Sequence, residues 1–187
     1  MPIFRKKKIT SNLVKEHEDM DIEICPLDKV LVDGEAICLG MEQSTVEAAI
    51  GKGILVGKRY YYFNDEMAID YNDNKVDFIE FLSGIDGMLK PSIYGISVFE
   101  SQADDLLKVL KEKNNGEIND TENGYSYQFH NISVGVYREA VPVAVKEMIE
   151  EAASFGNPMT DDEIQYEMKR ANHWATIGLG VAGYYQR

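Results

Sequence analysis

The spacing of apolar residues predicts a helix followed by an antiparallel sheet in the first half of the chain. Two short apolar runs around the turn residues Asp33-Gly34 predict a hairpin over residues 30–39. Apolar residues one helical turn apart then predict a short helix that ends at Gly51; they are Val46, Ala49 and Ile50. Period-two alternation follows in three runs and predicts a meander over residues 59–63, 67–71 and 76–81.

The same order of elements recurs in the second half. The pattern predicts a strand over 93–99, a helix over 102–113 and alternating strands over 125–129 and 132–136. At a constant offset of 65, strand residues of the two halves coincide: Tyr62 with Tyr127, Ile69 with Val134 and Tyr71 with Val136. This match indicates either an internal duplication or the chance recurrence of a common helix-plus-hairpin unit.

Beyond Pro142 the pattern predicts two helices and a closing strand. One helix covers 143–155, and a second covers 160–171, where Thr160 and Glu163 form a capping-box start. The strand over 175–185 alternates with glycine, which indicates close packing, and we place it beside the strand over 132–136.

The predicted fold class is therefore α+β, with two tandem helix-on-antiparallel-sheet units, C-terminal helices and a final strand. The predicted divisions are an N-terminal tail (1–29), a first unit (30–84), a second unit (85–141) and a C-terminal part (142–187). All of them could belong to one continuous domain, since 187 residues fit a single core.

Charge is distributed unevenly along the chain. The five basic residues up to Lys15 lie in a stretch without acids, and the remaining 14 bases face 32 acids, so residues 16–187 carry a net charge of −18. A body of this charge repels phosphates and predicts no nucleic-acid partner, but it attracts a basic protein. The alternative is that the acidity serves solubility alone.

The chain also lacks targeting signals in its pattern. No run approaches the ~18 apolar residues of a membrane helix, so we expect no membrane span. The absence of a signal-peptide core at the start and the presence of only two cysteines, without a Cys-x-x-Cys motif, predict a cytoplasmic protein with unpaired thiols.

Catalytic and metal-binding patterns fail when they are tested residue by residue. The glycines around Lys52 and Lys58 lack the P-loop spacing, and the Asp70-Asn72-Asn74 series lacks the later residues of a calcium loop. The three histidines lie far apart in sequence. We therefore predict a protein that is not an enzyme, with no catalytic residues, no metal and no cofactor. The alternatives are a small-ligand-binding protein, an enzyme whose site is assembled from dispersed residues, or a structural assembly factor.

Tyrosines are the most distinctive side chains of the predicted strands. Tyr60, Tyr62, Tyr125 and Tyr127 should share one sheet face, with Tyr61 and Phe63 on the other, and helices should leave the tyrosine-rich face open. With acids of the adjoining turns, this face predicts seven partner-binding residues: Tyr60, Tyr62, Asp65, Glu66, Glu122, Tyr125 and Tyr127. The alternative is that these tyrosines are only good strand formers with half-exposed rings.

The run Leu39-Gly40-Met41, Val46, Ile50-Gly51 and then Tyr60-Tyr61-Tyr62 resembles the helix-then-hairpin unit of β-lactamase inhibitor proteins. The whole chain also resembles the small acidic immunity proteins of bacterial toxin systems. The resemblance implies two tandem units that bind a protein partner across a combined sheet, and a non-catalytic immunity or inhibitor protein that neutralises a basic toxin such as a nuclease. Lys52 stands where a proline often follows the glycine, and export and disulfide signals are missing, which favours an intracellular binder over a secreted inhibitor.

Overall fold

A computed structural model describes residues 20–187, so the basic start of the predicted tail lies outside the described residues. Over this range the fold is mixed α+β, as predicted, with four helices and two sheets. The helices are α1 (Gln43–Ile50), α2 (Ala103–Asn114), α3 (Pro142–Ser154) and α4 (Asp161–Ala171). The strands are β1 (Ile22–Cys25), β2 (Lys29–Val32), β3 (Glu35–Cys38), β4 (Ile54–Val56), β5 (Arg59–Tyr62), β6 (Met67–Asn72), β7 (Lys75–Phe81), β8 (Ser92–Ile93), β9 (Ile96–Ser97), β10 (Ile118–Asn119), β11 (Ser126–Phe129), β12 (Val134–Tyr137) and β13 (Thr176–Gly180).

The smaller sheet has five strands in the order β3-β2-β1-β8-β9. Its centre is β1, which runs parallel to β8 and antiparallel to β2. Ile22 and Ile24 of β1 are buried in the core. The predicted tail therefore extends too far: residues 22–25 are structural, and they alternate apolar and polar residues like the other half-buried strands.

The larger sheet has eight strands in the order β10-β11-β12-β13-β7-β6-β5-β4. The predicted meander forms β5, β6 and β7, with Tyr60 opposite Ile69 and Ile69 opposite Ile79. The closing strand β13 lies beside β12, as predicted, with Val134 opposite Leu179, and its other edge pairs with β7. The last strand of the chain therefore joins the strands of the two halves.

The predicted strand over 93–99 is wrong, because the chain reverses direction directly after Ile93. Tyr94 and Gly95 both have positive φ, 53° and 76°, and connect β8 to β9 as a two-residue hairpin. Positive φ at both central residues is the requirement of a type I′ turn, which glycine meets without steric cost. Ile93 thus pairs with Ile96 across the hairpin.

One hydrophobic cluster joins both sheets to α1 and α2. Val46 of α1 and Leu106 and Leu110 of α2 are fully buried in it, as is Trp174, whose indole N–H donates to the Ala103 carbonyl over 3.1 Å. By contrast, α3 and α4 bury only Val145 and Ala171, and they pack chiefly on each other. The core cluster lies against one face of the large sheet.

Candidate functional site

Two of the predicted partner-binding tyrosines lie in the core. Tyr62 and Tyr127 are 4% and 8% exposed. The Tyr62 hydroxyl lies 2.9 Å from the hydroxyl of Tyr71, and the Tyr127 ring meets Trp174 edge-on, with ring centroids 6.0 Å apart. Desolvation by burial raises the pKa of both phenols above its usual value. These two rings pack the interior and do not face solvent.

The other two predicted tyrosines are half-buried and far apart in the sheet. Tyr60, on β5, packs its ring edge-on against Tyr71 with centroids 5.3 Å apart. Tyr125 precedes β11, which four strands separate from β5. The expectation of one open face that carries all four tyrosines is therefore wrong: α1, α2 and the smaller sheet cover the face on which Tyr62 and Tyr127 lie.

The three predicted acids have different environments. The Glu66 carboxylate accepts the backbone N–H groups of Met88 and Leu89 over 2.8 and 2.6 Å, and so orders the loop between β7 and β8. Asp65 and Glu122 are exposed turn residues. Partner binding by Tyr60, Tyr125 and these two exposed acids stays a prediction, whereas Glu66 has a clear structural role.

The opposite side of the large sheet, here called the outer face, carries the residues of the other parity. One row of direct cross-strand neighbours runs over seven strands: Ile54, Tyr61, Ala68, Glu80, Gly178, Gly135 and Gln128. A neighbouring row contains Val56, Arg59, Asp70, Phe78 and Gly180. Because side chains alternate along a strand, the residue next to each core tyrosine points to this outer face.

An arginine links three strands on the outer face. The Arg59 guanidinium donates through Nε to Asp70 over 2.9 Å and through Nη1 to Glu80 over 2.6 Å. Its carbon lies 5.7 Å from the centre of the Phe78 ring. Each of the two carboxylates therefore has a charge-assisted hydrogen bond to a partner within the sheet.

Two tyrosines from the C-terminal end of the chain rest on the outer face. A 3-10 turn over Tyr184–Gln186 stacks Tyr184 on Phe78, with centroids 4.4 Å apart and planes 5° from parallel. The Tyr185 hydroxyl lies over Gly135 and Gly178 and donates weakly to the Gly178 carbonyl over 3.4 Å. Burial raises its pKa well above the usual value. The predicted close packing of the glycine-rich strand is thus confirmed, since a Cβ at Gly178 would meet the Phe78 ring and the Tyr185 hydroxyl, and one at Gly180 would meet Tyr184.

Open depressions lie on both sides of Tyr184. One, of about 230 Å³, is lined by outer-face residues that include Ser126, Gln128 and Tyr137. The other, of about 580 Å³, lies between Arg59 and the ion pair of Arg187 with Asp77. Tyr137 is 40% exposed. The outer face thus combines partly exposed tyrosines, open depressions and paired charges.

Sequence reasoning missed Tyr61, Tyr137 and Tyr184, although a signal was present. Small residues at Ala68, Gly135, Gly178 and Gly180 occupy one parity of adjacent strands. Small strand residues mark a surface that other groups approach closely.

A small pocket lies near the junction of the two halves. It has a volume of about 110 Å³ and is lined by residues 82–86 and 173–175 with Glu139 and Arg170. This volume is below the several hundred Å³ typical of small-molecule sites. His173 lies at its wall, with Nδ1 2.6 Å from the Lys169 carbonyl oxygen.

Residues 20–187 form neither a metal-binding cluster nor a membrane-spanning helix. Over residues 20–187 no three or more His, Cys, Asp or Glu side chains come together to hold a metal ion. Cys25 and Cys38 are free thiols. None of the described helices is long and apolar enough to cross a bilayer.

Comparison with known proteins identifies no relative of this chain. The chain matches no family model, no curated protein and no solved structure.

Proposed function

We propose that this chain is a non-catalytic protein-binding module that receives its partner on the outer face of the eight-stranded sheet. The observation that carries this proposal is the accessible phenol of Tyr137 beside an open depression of about 230 Å³. Tyrosine supplies a large, rigid contact area with a hydrogen-bonding tip, and it is enriched in protein interfaces. Tyr61 and Tyr184 extend this surface toward β4.

The proposed partner is a basic protein. Residues 16–187 carry a net charge of −18, which supports long-range attraction of a positively charged molecule. At the outer face itself Asp70, Glu80 and Asp77 are paired with arginines. In this proposal the overall charge accelerates encounter, whereas the aromatic surface supplies the contact.

The most concrete form of the proposal is an intracellular immunity or inhibitor protein that neutralises a basic toxin, such as a nuclease, by occlusion. The acidic body and its resemblance to bacterial immunity proteins support this form. Occlusion requires only a tightly bound surface, and it is consistent with a site whose carboxylates are already paired.

We also infer that the large sheet is built from two tandem units. A hairpin, a helix and four antiparallel strands occur as β2-β3, α1, β4–β7 and again as β8-β9, α2, β10–β13. The final strands β7 and β13 pair antiparallel, with Glu80 opposite Gly178, as a pseudo-twofold axis requires. In this arrangement α3 and α4 are an insertion before the last strand of the second unit. The proposed binding surface would then extend across both units.

A capture experiment with surface variants tests the proposal. The full chain carries an affinity tag at its N-terminus, because the C-terminal residues lie on the outer face. We expect wild type to retain a basic protein from lysate of the source cells and Tyr137→Ala to retain less of it. Tyr166→Ala is the matched control, since this exposed tyrosine lies on α4, away from the outer face.

Neutralisation is tested with the captured protein itself. We expect its expression alone to arrest growth and co-expression of this chain to restore growth, with weaker protection from Tyr137→Ala than from Tyr166→Ala. Equal capture by both variants would place the interface elsewhere. A partner without toxicity would leave protein binding standing and reject neutralisation.

A further inference from the structure

One edge of the large sheet is the apolar strand β4, which no element within residues 20–187 covers. In β4, Ile54, Leu55 and Val56 are 66%, 54% and 59% exposed. At the opposite edge, β10 has only two residues, Ile118 and Asn119, and both are half-buried. Open apolar edges of this kind are templates for pairing with another strand.

In β4, the backbone N–H and carbonyl that point away from β5 belong to Leu55. Gly57 and Lys58 form a two-residue turn in which Gly57 has φ +65°, and Val56 lies opposite Arg59. Such a hairpin closes on a hydrogen-bonded pair, so the backbone groups of Val56 and Ile54 point toward β5. The N–H and carbonyl of Leu55 consequently point away from the sheet.

The charge around β4 differs from that of the rest of the body. Residues 48–64 contain no acid but include Lys52, Lys58 and Arg59. Arg59 is paired with Asp70 and Glu80, whereas both lysines are exposed and lie three positions on either side of Leu55. Lys52 lies two residues before β4 and Lys58 lies in the turn after it, so a positive charge stands at each end of the strand.

We propose that β4 is a second binding site, which adds an extended segment of a partner as a ninth strand. The segment would have an apolar centre and carboxylates six residues apart, which would meet Lys52 and Lys58 while its backbone pairs with Leu55. This site is independent of the partner proposed for the outer face, and it selects acidic rather than basic chemistry.

The same charges disfavour two other occupants. In a second copy paired antiparallel about Leu55, each Lys52 would lie opposite Lys58 of the other chain, and like charges in that position are destabilising. Residues 1–15 of this chain carry five bases and no acid, so the same lysines repel them.

A peptide titration tests the site on the full chain. The probe is an acetylated and amidated heptapeptide of sequence Glu-Ser-Ile-Thr-Val-Ser-Glu, and the control has lysine in place of both glutamates. Backbone amide NMR spectra should show shifts at Gly53, Leu55 and Gly57 with the glutamate peptide. We expect its Kd to be about fivefold lower than that of the lysine peptide in 0.15 M NaCl, an ionic strength that largely screens the field of the acidic body beyond about 8 Å.

A proline variant distinguishes backbone pairing of the peptide with β4 from nonspecific binding of the peptide to the surface. Leu55→Pro removes the outward N–H and keeps the β4–β5 hydrogen bonds, so we expect peptide binding about tenfold weaker or absent with an unchanged melting temperature. Leu55→Thr keeps the N–H and should retain binding within about threefold. Circular dichroism of both variants verifies that the fold is intact.

Four results would overturn the proposal. They are shifts confined to other strands, binding of the lysine peptide as tight as that of the glutamate peptide, no binding of either peptide, and undiminished binding by Leu55→Pro. Sedimentation of wild type as a dimer that Leu55→Pro dissociates would instead assign β4 to a second copy of this chain.

Discussion

The two faces of the eight-stranded sheet use the same side chain for different purposes. On the core face, Tyr62 and Tyr127 are closed in by helices and by the smaller sheet. On the outer face, Tyr61 and Tyr137 stay accessible, and Tyr184 and Tyr185 cover the glycines at the centre. A strand reverses the direction of its side chains at every residue, so one step along the chain separates a packing tyrosine from a candidate binding tyrosine.

The comparison of the two faces predicts that Tyr127→Ala and Tyr137→Ala differ strongly in their free energy of unfolding, and this is the largest effect that we expect. The first substitution empties a buried site against Trp174 and should lower the free energy of unfolding by about 3–5 kcal/mol. The second removes a ring that is 40% exposed and should lower it by about 1 kcal/mol or less. Urea denaturation followed by tryptophan fluorescence measures both values.

Equal losses in the two variants would contradict the assignment of faces. Tyr62→Ala provides a further check, because it lies on the core face in the first half of the sheet and should resemble Tyr127→Ala.

We expect the next largest effect at Gly135, which lies under the Tyr185 side chain. The three heavy atoms nearest to a Cβ at Gly135 would all belong to the Tyr185 side chain, with ring carbons 2.7 and 2.9 Å away. Gly135→Ala should therefore cost about 1–3 kcal/mol through overpacking. In a Tyr185→Ala background the same change should cost almost nothing, and a double-mutant cycle measures the coupling. Additive costs would mean that Tyr185 does not rest on this glycine.

Local patterns predict much of this fold, because many elements are stabilised by near neighbours. The meander of β5, β6 and β7 follows from alternation, and α4 begins at Thr160 because its side chain and that of Glu163 cap each other. By contrast, β1 and β8 pair across about seventy residues of sequence, and Ser92 even donates to the carbonyl of Ile22. Each strand has a local hairpin partner, β2 for β1 and β9 for β8, but these local pairs carry no signal of the distant parallel pairing.

The sequence contains enough information to predict which face of the large sheet Tyr60 and Tyr62 occupy. Tyr62 lies opposite Met67, and Tyr60 lies opposite Ile69, and both of these partners are fully buried. Cross-strand neighbours share a face, so tyrosines paired with a strongly apolar parity belong to the core side. The C-terminal tyrosines could not be placed in this way, since their position depends on a turn that follows β13.

The pH dependence of stability sharpens the comparison further. Burial holds the pKa of Tyr185 above that of the unfolded chain, which is about 10. The folded state therefore binds the phenolic proton more tightly, so this contribution to stability is present below about pH 10 and is lost as the pH rises through the folded pKa. Tyr185→Phe should show a smaller fall in unfolding free energy between pH 9 and 11 than wild type.

Identical profiles for wild type and Tyr185→Phe would show that this phenol is not desolvated. Near pH 7 the loss of its 3.4 Å hydrogen bond should change stability by about 1 kcal/mol or less.

The smallest expected effect comes from the ion pair that holds the end of the chain. Arg187 donates to both oxygens of Asp77 over 2.6 and 3.1 Å, but about half of the Arg187 side chain is exposed. Exposed pairs contribute about 0.2–1 kcal/mol and are screened by salt, so Asp77→Asn should lower stability by no more than this, and the difference should shrink in 0.5 M NaCl.

Stability alone then cannot reveal whether the pair fixes Tyr184 on the outer face. Amide exchange can, because a loosened C-terminal turn would speed the exchange of the Tyr184 and Gln186 N–H groups, which bond to Val181 and Gly183. Unchanged exchange in Asp77→Asn would mean that the stacking of Tyr184 on Phe78, rather than the charge pair, holds this turn on the sheet.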